Sequence, residues 1–214
     1  MAIIYRAQIR PTKLELIGSW LPTQPWFGGG SVDGLASLGA YRFDDPAGEV
    51  GIETLLVDVA GEVVQVPMTY RGAPLAGAEA WLMGTLEHSV LGPRWVYDAC
   101  ADPVYANELA AAILTGGTQA DEFVDGDGGP TFRASTVSVK GSGSPDEKVV
   151  EVGDVDDLTV STVGTVSTIS APAWELTVAR LVDVGGSYPV VDAELVGTWA
   201  AQAQPVRLAS ARRR

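Results

Sequence analysis

Ile52–Tyr70 reads IETLLVDVAGEVVQVPMTY, and this stretch decides the fold. Side chains alternate along an extended chain, so Val64, Val66, Met68 and Tyr70 share one face and Gln65 and Thr69 the other. Ala60-Gly61 is a tight X-Gly connection, which predicts a hairpin between Ile52–Val59 and Glu62–Tyr70. Within the first arm the apolar phase shifts near Leu55-Leu56, as a bulge or burial on both faces would produce.

The same period of two continues outward. Leu86–Leu91 and Arg94–Asp98 read as short strands hinged at Gly92-Pro93. Beyond residue 130, Phe132–Lys140, Leu158–Ser170, Trp174–Val184 and Leu195–Leu208 read as strands rich in Val and Thr, residues that suit a pleated surface. Leu158–Ser170 carries Gly164 and hydroxyls on both faces, the mark of an edge or bent strand. Helices are few. Asp102–Thr115 has an Asp N-cap, Pro103 at the first helical position, an apolar stripe of Tyr105, Leu109 and Ile113, and a stop at Gly116-Gly117. A weaker helix spans Pro11 to Leu21, with Leu14, Ile17 and Leu21 inward and Pro22 ending it.

Gly117–Pro130 and Gly141–Glu147 read as loops, the first a seam between a front half and an all-strand back half. Neither half has helices enough to cover its own core, so one domain over residues 1–214 is expected. The fold class is α+β: a curved, mainly antiparallel β-sheet with one or two packed helices.

The chain has 214 residues, 46% of them hydrophobic, which is enough for a sizeable core. Its formal net charge of −13 repels phosphate backbones and anionic lipid, so neither nucleic acid nor a membrane is an expected partner. No run approaches the roughly 18 apolar residues of a membrane span. Arg6, Arg10 and Lys13 are interleaved with isoleucines rather than set before an apolar core, so no signal peptide is read. Cys100 is the single cysteine, which excludes an intrachain disulfide and fits a reducing cytoplasm. The terminal Arg212-Arg213-Arg214 is expected to fray.

Chemistry-bearing constellations are sparse. His88 is the one histidine, in phase with Leu86 and Val90, and reads as a core or rim residue rather than a catalytic base. One His and one Cys do not make an ordinary zinc site. Asp121, Glu122, Asp125 and Asp127 lack the spacing of an EF-hand and read as a solvated turn, as do Asp154, Asp156 and Asp157. Gly28–Gly30 and Gly141–Lys148 lack the Gly-Lys-Ser/Thr of a phosphate loop and read as flexible connectors. No cofactor is implied. Arg180 sits in the apolar phase of its strand beside Val178 and Val182, either snorkelling at an edge or paired with a buried acid. Six tryptophans are present, most of them core filling. Trp26 and Phe27, caught between Pro25 and the glycine run, are the residues expected to offer an exposed aromatic contact.

The stretches AIIYRAQIRPTKLELIGSWLPTQPW (Ala2–Trp26) and AYRFDDPAGEVGIETLLV onward (Ala40 to Gly117) resemble the N-terminal cap domain of actinobacterial maltokinases. The resemblance covers roughly the first half of the chain. It implies an α+β unit with a bent antiparallel sheet, set before kinase lobes that phosphorylate maltose in the route from trehalose to glycogen-like glucans. The His-Gly-Asp type loop of such lobes has no counterpart, because His88 is followed by Ser89 and Val90, so no catalytic residue carries over. The expectation is a cap-like domain standing alone: a non-catalytic interaction or regulatory module. It would dock on a separately encoded sugar kinase or glucan enzyme, or on itself as a homo-oligomer. A carbohydrate or small-ligand binding domain, and an enzyme using the loop carboxylates, are the alternatives.

Overall fold

A computed structural model describes residues 2–126, 128–186, 189 and 191–214. In chain order the elements are β1 (Ala2–Ile4), β2 (Ile9–Arg10), α1 (Lys13–Trp20), β3 (Ala36–Phe43), β4 (Gly51–Val59), β5 (Glu62–Arg71), β6 (Leu82–His88), β7 (Gly92–Asp98), α2 (Pro103–Leu114), β8 (Glu122–Val124) and β9 (Thr131–Arg133). They continue with β10 (Val137–Gly141), β11 (Thr159–Val163), β12 (Val166–Ser170), β13 (Trp174–Ala179), β14 (Ala193–Trp199) and β15 (Gln202–Arg213). The class is α+β, dominated by antiparallel sheet that curls into a half-barrel.

The expected curved sheet is present as two. The first runs β2-β6-β7-β5-β4-β3 and the second β10-β14-β15-β13-β12-β11, each antiparallel and six-stranded; a three-stranded sheet, β1-β8-β9, contains the parallel pair β1/β8. The β4–β5 hairpin pairs without a bulge from Gly51↔Tyr70 to Val59↔Glu62. The phase shift at Leu55-Leu56 therefore reflects burial on both faces. Leu55, Val57, Val64, Val66 and Met68 face a core with Leu16, Ile17, Trp20 and Leu21 of and beyond α1. Leu56 and Ile52 face the opposite core, with Tyr41 and Phe43.

That opposite core is filled by α2. Tyr105, Leu109 and Ile113 join Val139, Leu176, Leu195 and Leu208 of the second sheet. Burial reaches Ala106, Ala110 and Ala112 as well, so the alanines are contact positions that let strands approach the helix closely. Asp102 caps α2 by accepting from Val104 N (3.0 Å) and takes a bidentate pair from Arg71 at 2.7 Å. The sheets meet where Gln65, fully buried in β5, donates to Ala179 O (3.1 Å) and Leu208 O (3.0 Å), while its own N–H reaches Arg180 O at 2.9 Å.

Several boundaries differ from the sequence expectation. Gly92-Pro93 begins β7 rather than hinging two strands; the turn lies at Ser89–Leu91, and the earlier strand starts at Leu82. Phe132–Lys140 divides into β9 and β10, in different sheets, because Ser135 and Thr136 side chains bond the Ala40 backbone between them. Leu158–Ser170 is a hairpin turning at Gly164 (φ +56°), whose first arm is the edge strand β11. Leu195–Leu208 is also a hairpin, turned by Ala200-Ala201, a pair with no turn signature. Gly117–Pro130 contains β8.

The segment from Gly141 is no flexible connector. Gly143 N and Ser144 N donate to Ile113 O and Leu114 O at 3.0 Å, satisfying carbonyls at the end of α2. The terminal arginines are likewise tied down. Arg212 and Arg214 pair with Glu175 at 2.8 and 2.6 Å, and Arg213 pairs with Glu147 at 2.5 Å.

Candidate functional site

Trp26 and Trp81, far apart in sequence, line one cleft. Pro25–Phe27 forms a tight turn after α1, and Glu79–Trp81 forms another leading into β6. Opposite them stands the β11–β12 hairpin. The cleft holds about 500 Å³, and its walls include Gln24, Val160, Thr162 and Thr165 with the two indoles. A second recess of about 240 Å³ adjoins it through the shared Trp81 and Val160, adding Gly77, Val155, Asp156 and Leu158.

Trp26 is half-buried, and so is Phe27; both lie against the α1 side of the first sheet. The Trp26 ring meets Trp20 and Phe27 edge-on at centroid distances of 6.0 and 6.3 Å. The Arg180 guanidinium lies 5.3 Å from its centroid. Arg180 does not snorkel. It is fully buried, donating to Asp98 Oδ2 at 2.6 Å and to Ser167 Oγ at 2.7 Å. Burial opposes its charge, but the Asp98 carboxylate outweighs that and raises its pKa. This ion pair joins the end of β7 to the residue after β13, so it ties the two sheets beneath Trp26.

A second buried centre surrounds Glu53, 3% exposed in β4. Lys13 approaches its carboxylate at 2.6 Å, Arg42 at 2.6 Å, and Tyr70 Oη donates at 2.9 Å. Burial by itself would raise the Glu53 pKa. Arg42 and Lys13 prevail and hold it at about 2. Glu53 was missed in the sequence reading, although an acid inside the doubly buried stretch Ile52–Val59 was the available signal.

The other candidates stay apart. His88 Nδ1 accepts from Val90 N (3.3 Å) and Leu91 N (3.0 Å) and so closes the β6–β7 turn at the rim. Partial burial, then Arg94 and Lys13, lower its pKa. Cys100 is buried, which raises its thiol pKa. Glu122 is no part of a solvated turn: it is 2% exposed in β8 and accepts from Arg133 Nε at 3.0 Å and Ser135 Oγ at 3.1 Å. Asp127 lies outside the described residues. Asp154 caps a short turn, Val155–Asp157, that contains Asp156 and Asp157; Asp157 Oδ2 accepts from Gly153 N and Asp154 N, both at 3.2 Å. Among the described residues no group of three or more His, Cys, Asp or Glu side chains is placed to hold a metal. No helix among them is long and apolar enough to cross a membrane.

Against models of known families, residues 20–102 match the maltokinase N-terminal cap domain. No curated protein matches the chain. The matched segment runs from the last residue of α1 through β3–β7 to the N-cap of α2, so it contains Trp26, Glu53, Trp81 and Asp98 but neither Arg180 nor β11. Residues 20–102, which carry β3–β7 of the first sheet, are thus similar to the maltokinase N-terminal cap domain over about two-fifths of the chain.

Proposed function

We propose that this protein is a non-catalytic docking module that binds a sugar kinase or a related glucan-processing enzyme. The observation that carries the reading is the family match together with how the matched segment spends its charge. Its buried acids Glu53, Asp98 and Asp102 are all engaged by Lys13, Arg42, Arg71 and Arg180 in pairs that hold the fold. Ionisable groups locked in such pairs are structural, which leaves shape and surface as the contribution. A cytoplasmic setting belongs to the same reading, since Cys100 is a free buried thiol.

The test mixes the purified chain with a purified maltokinase-class enzyme and follows complex formation by sedimentation velocity. A faster-sedimenting species at micromolar concentration is expected. Absence of any complex rejects docking, and phosphorylation of maltose from ATP by the chain alone rejects the non-catalytic assignment.

A second reading rests on the Trp26–Trp81 cleft. Two indoles sharing one cleft with Gln24, Thr162 and Thr165 suit a neutral sugar, which offers apolar ring faces and hydroxyl edges. Tryptophan fluorescence titrated with maltose, trehalose, glucosamine and oligoglucans should then shift in the wild type and not in Trp81→Ala. No shift at millimolar ligand removes it.

A further inference from the structure

We propose that the free edge of β11 takes an extended segment of a partner protein as a seventh strand, with apolar side chains in the Trp26–Trp81 cleft followed by Lys or Arg. This rests on the docking reading and names its surface.

Among the described residues the hydrogen-bond pattern leaves this edge open. β11 is the last strand of the second sheet. Val163 pairs with Val166 across the two-residue turn Gly164-Thr165, so the two exchange ladder bonds. Arg180 N donates to Thr165 O at 2.8 Å, which fixes the alternation in β12: Thr165 and Ser167 face β13, while Val166 and Thr168 face β11. In β11 the inward backbone groups therefore belong to Thr159, Ser161 and Val163. Those of Val160 and Thr162 point away from the sheet.

Three of the devices that protect an edge are missing within the five residues of β11. TVSTV contains no charge, no proline and no bulge. Val163, 81% exposed, stands at the hairpin tip beside Val166 at 39%. The opposite edge, β10, lies against β3, where Ala40 N reaches Thr136 Oγ1 at 2.8 Å and a Cβ on Gly39 would come within 2.9 Å of Val137 Cγ2.

The two recesses lie along β11, and they specify the occupant. At the Val163 end the walls are Trp26, Trp81, Thr162 and Gln24, neutral and aromatic. At the Thr159 end the shared Trp81 is joined by Leu158, Val155 and Asp156, with Asp154, Asp157 and Glu79 exposed nearby on the turns that form the recess. A strand antiparallel to β11 enters past the tryptophans and leaves past the acids. Charge complementarity then calls for apolar residues first and basic residues after.

The probe is a fluorescein-labelled peptide of alternating valine and threonine ending in two lysines, with a counterpart ending in two glutamates, both titrated into the full chain. The lysine peptide should bind, prefer the protein over the glutamate peptide at least fivefold, and slow amide exchange at Val160 and Thr162. Val160→Pro removes an outward N–H while leaving the β12 ladder intact and should weaken binding at least tenfold. Asp156→Lys should abolish the preference for lysine. Equal binding of both peptides, protection away from β11, or no binding at millimolar peptide overturns the proposal. Concentration-dependent protection of the same amides without peptide also overturns it, in favour of pairing between two copies. Failure here and failure of the docking reading are separable: a kinase complex that Val160→Pro leaves unweakened keeps docking and discards this edge.

Discussion

At the residue scale, buried charge is the organising feature. Arg180 and Asp98 are both withdrawn from water, so removing one leaves the other uncompensated. Asp98→Ala should cost about 3–5 kcal/mol. The double variant Asp98→Leu with Arg180→Met should recover most of it, because no orphaned charge remains. Urea titration of the single and the double variant beside the wild type measures this, and a double variant as unstable as the single one would contradict the account. Glu53 gives a pH signature. Its folded pKa is about 2, below the 4.5 of the free side chain. A depressed carboxylate stabilises the fold above its unfolded pKa, and that contribution disappears as pH falls from about 4.5 to 2. The loss should be on the order of 3 kcal/mol. Glu53→Gln should flatten the acid limb of a plot of stability against pH, and an unchanged limb would assign acid sensitivity elsewhere. Only the Arg180 centre was partly legible, and Glu53 was passed over. Arg180 stood out in an apolar phase, but its partner lies 82 positions away, and no local pattern reports so distant a contact.

At the element scale, the helix that the sequence showed most clearly depends on a segment that it misrepresented. The cap at Asp102, Pro103 and the apolar stripe of α2 are local signals, and they appear in place. The end of α2 is closed from outside by Gly143 and Ser144. A Cβ on Gly143 would fall 1.9 Å from Leu114 O. Gly143→Ala should therefore destabilise by about 3 kcal/mol, since backbone rather than a movable side chain is struck. Gly153→Ala, with open space around it, should change stability by less than about 0.5 kcal/mol. Thermal melts of the two variants separate a packed loop from a slack one. Glycine and serine carry the same composition in a linker and in a close backbone contact, so GSGS could not announce which it was. The missed hairpin at Ala200-Ala201 has the same cause: turn signals are read from residue type, and alanine supplies none.

At the scale of the whole molecule, the family match ends at residue 102 while the core continues. Tyr41, Phe43 and Ile52 from the matched segment share a cluster with Leu176, Leu195 and Leu208 from the second sheet, and α2 lies among them. A fragment ending at residue 117 keeps the first sheet and α2 but strips the helix of its second-sheet contacts. It should lose a cooperative melt and bind a hydrophobic dye, whereas the full chain should unfold in one transition. A sharp transition for the fragment would establish an independently folding cap.

Strand periodicity, the β4–β5 hairpin, the capped helix and the class of the fold were determined by the sequence itself, because alternation, turn chemistry and capping act over a few residues. The division of the strands between two sheets, the placement of Trp26 beside Trp81, the partner of Arg180 and the open flank of β11 were decided by tertiary structure alone. Each depends on which distant segments meet, and that choice is made by the burial of shared apolar surface, a non-directional force that leaves no local mark on the chain.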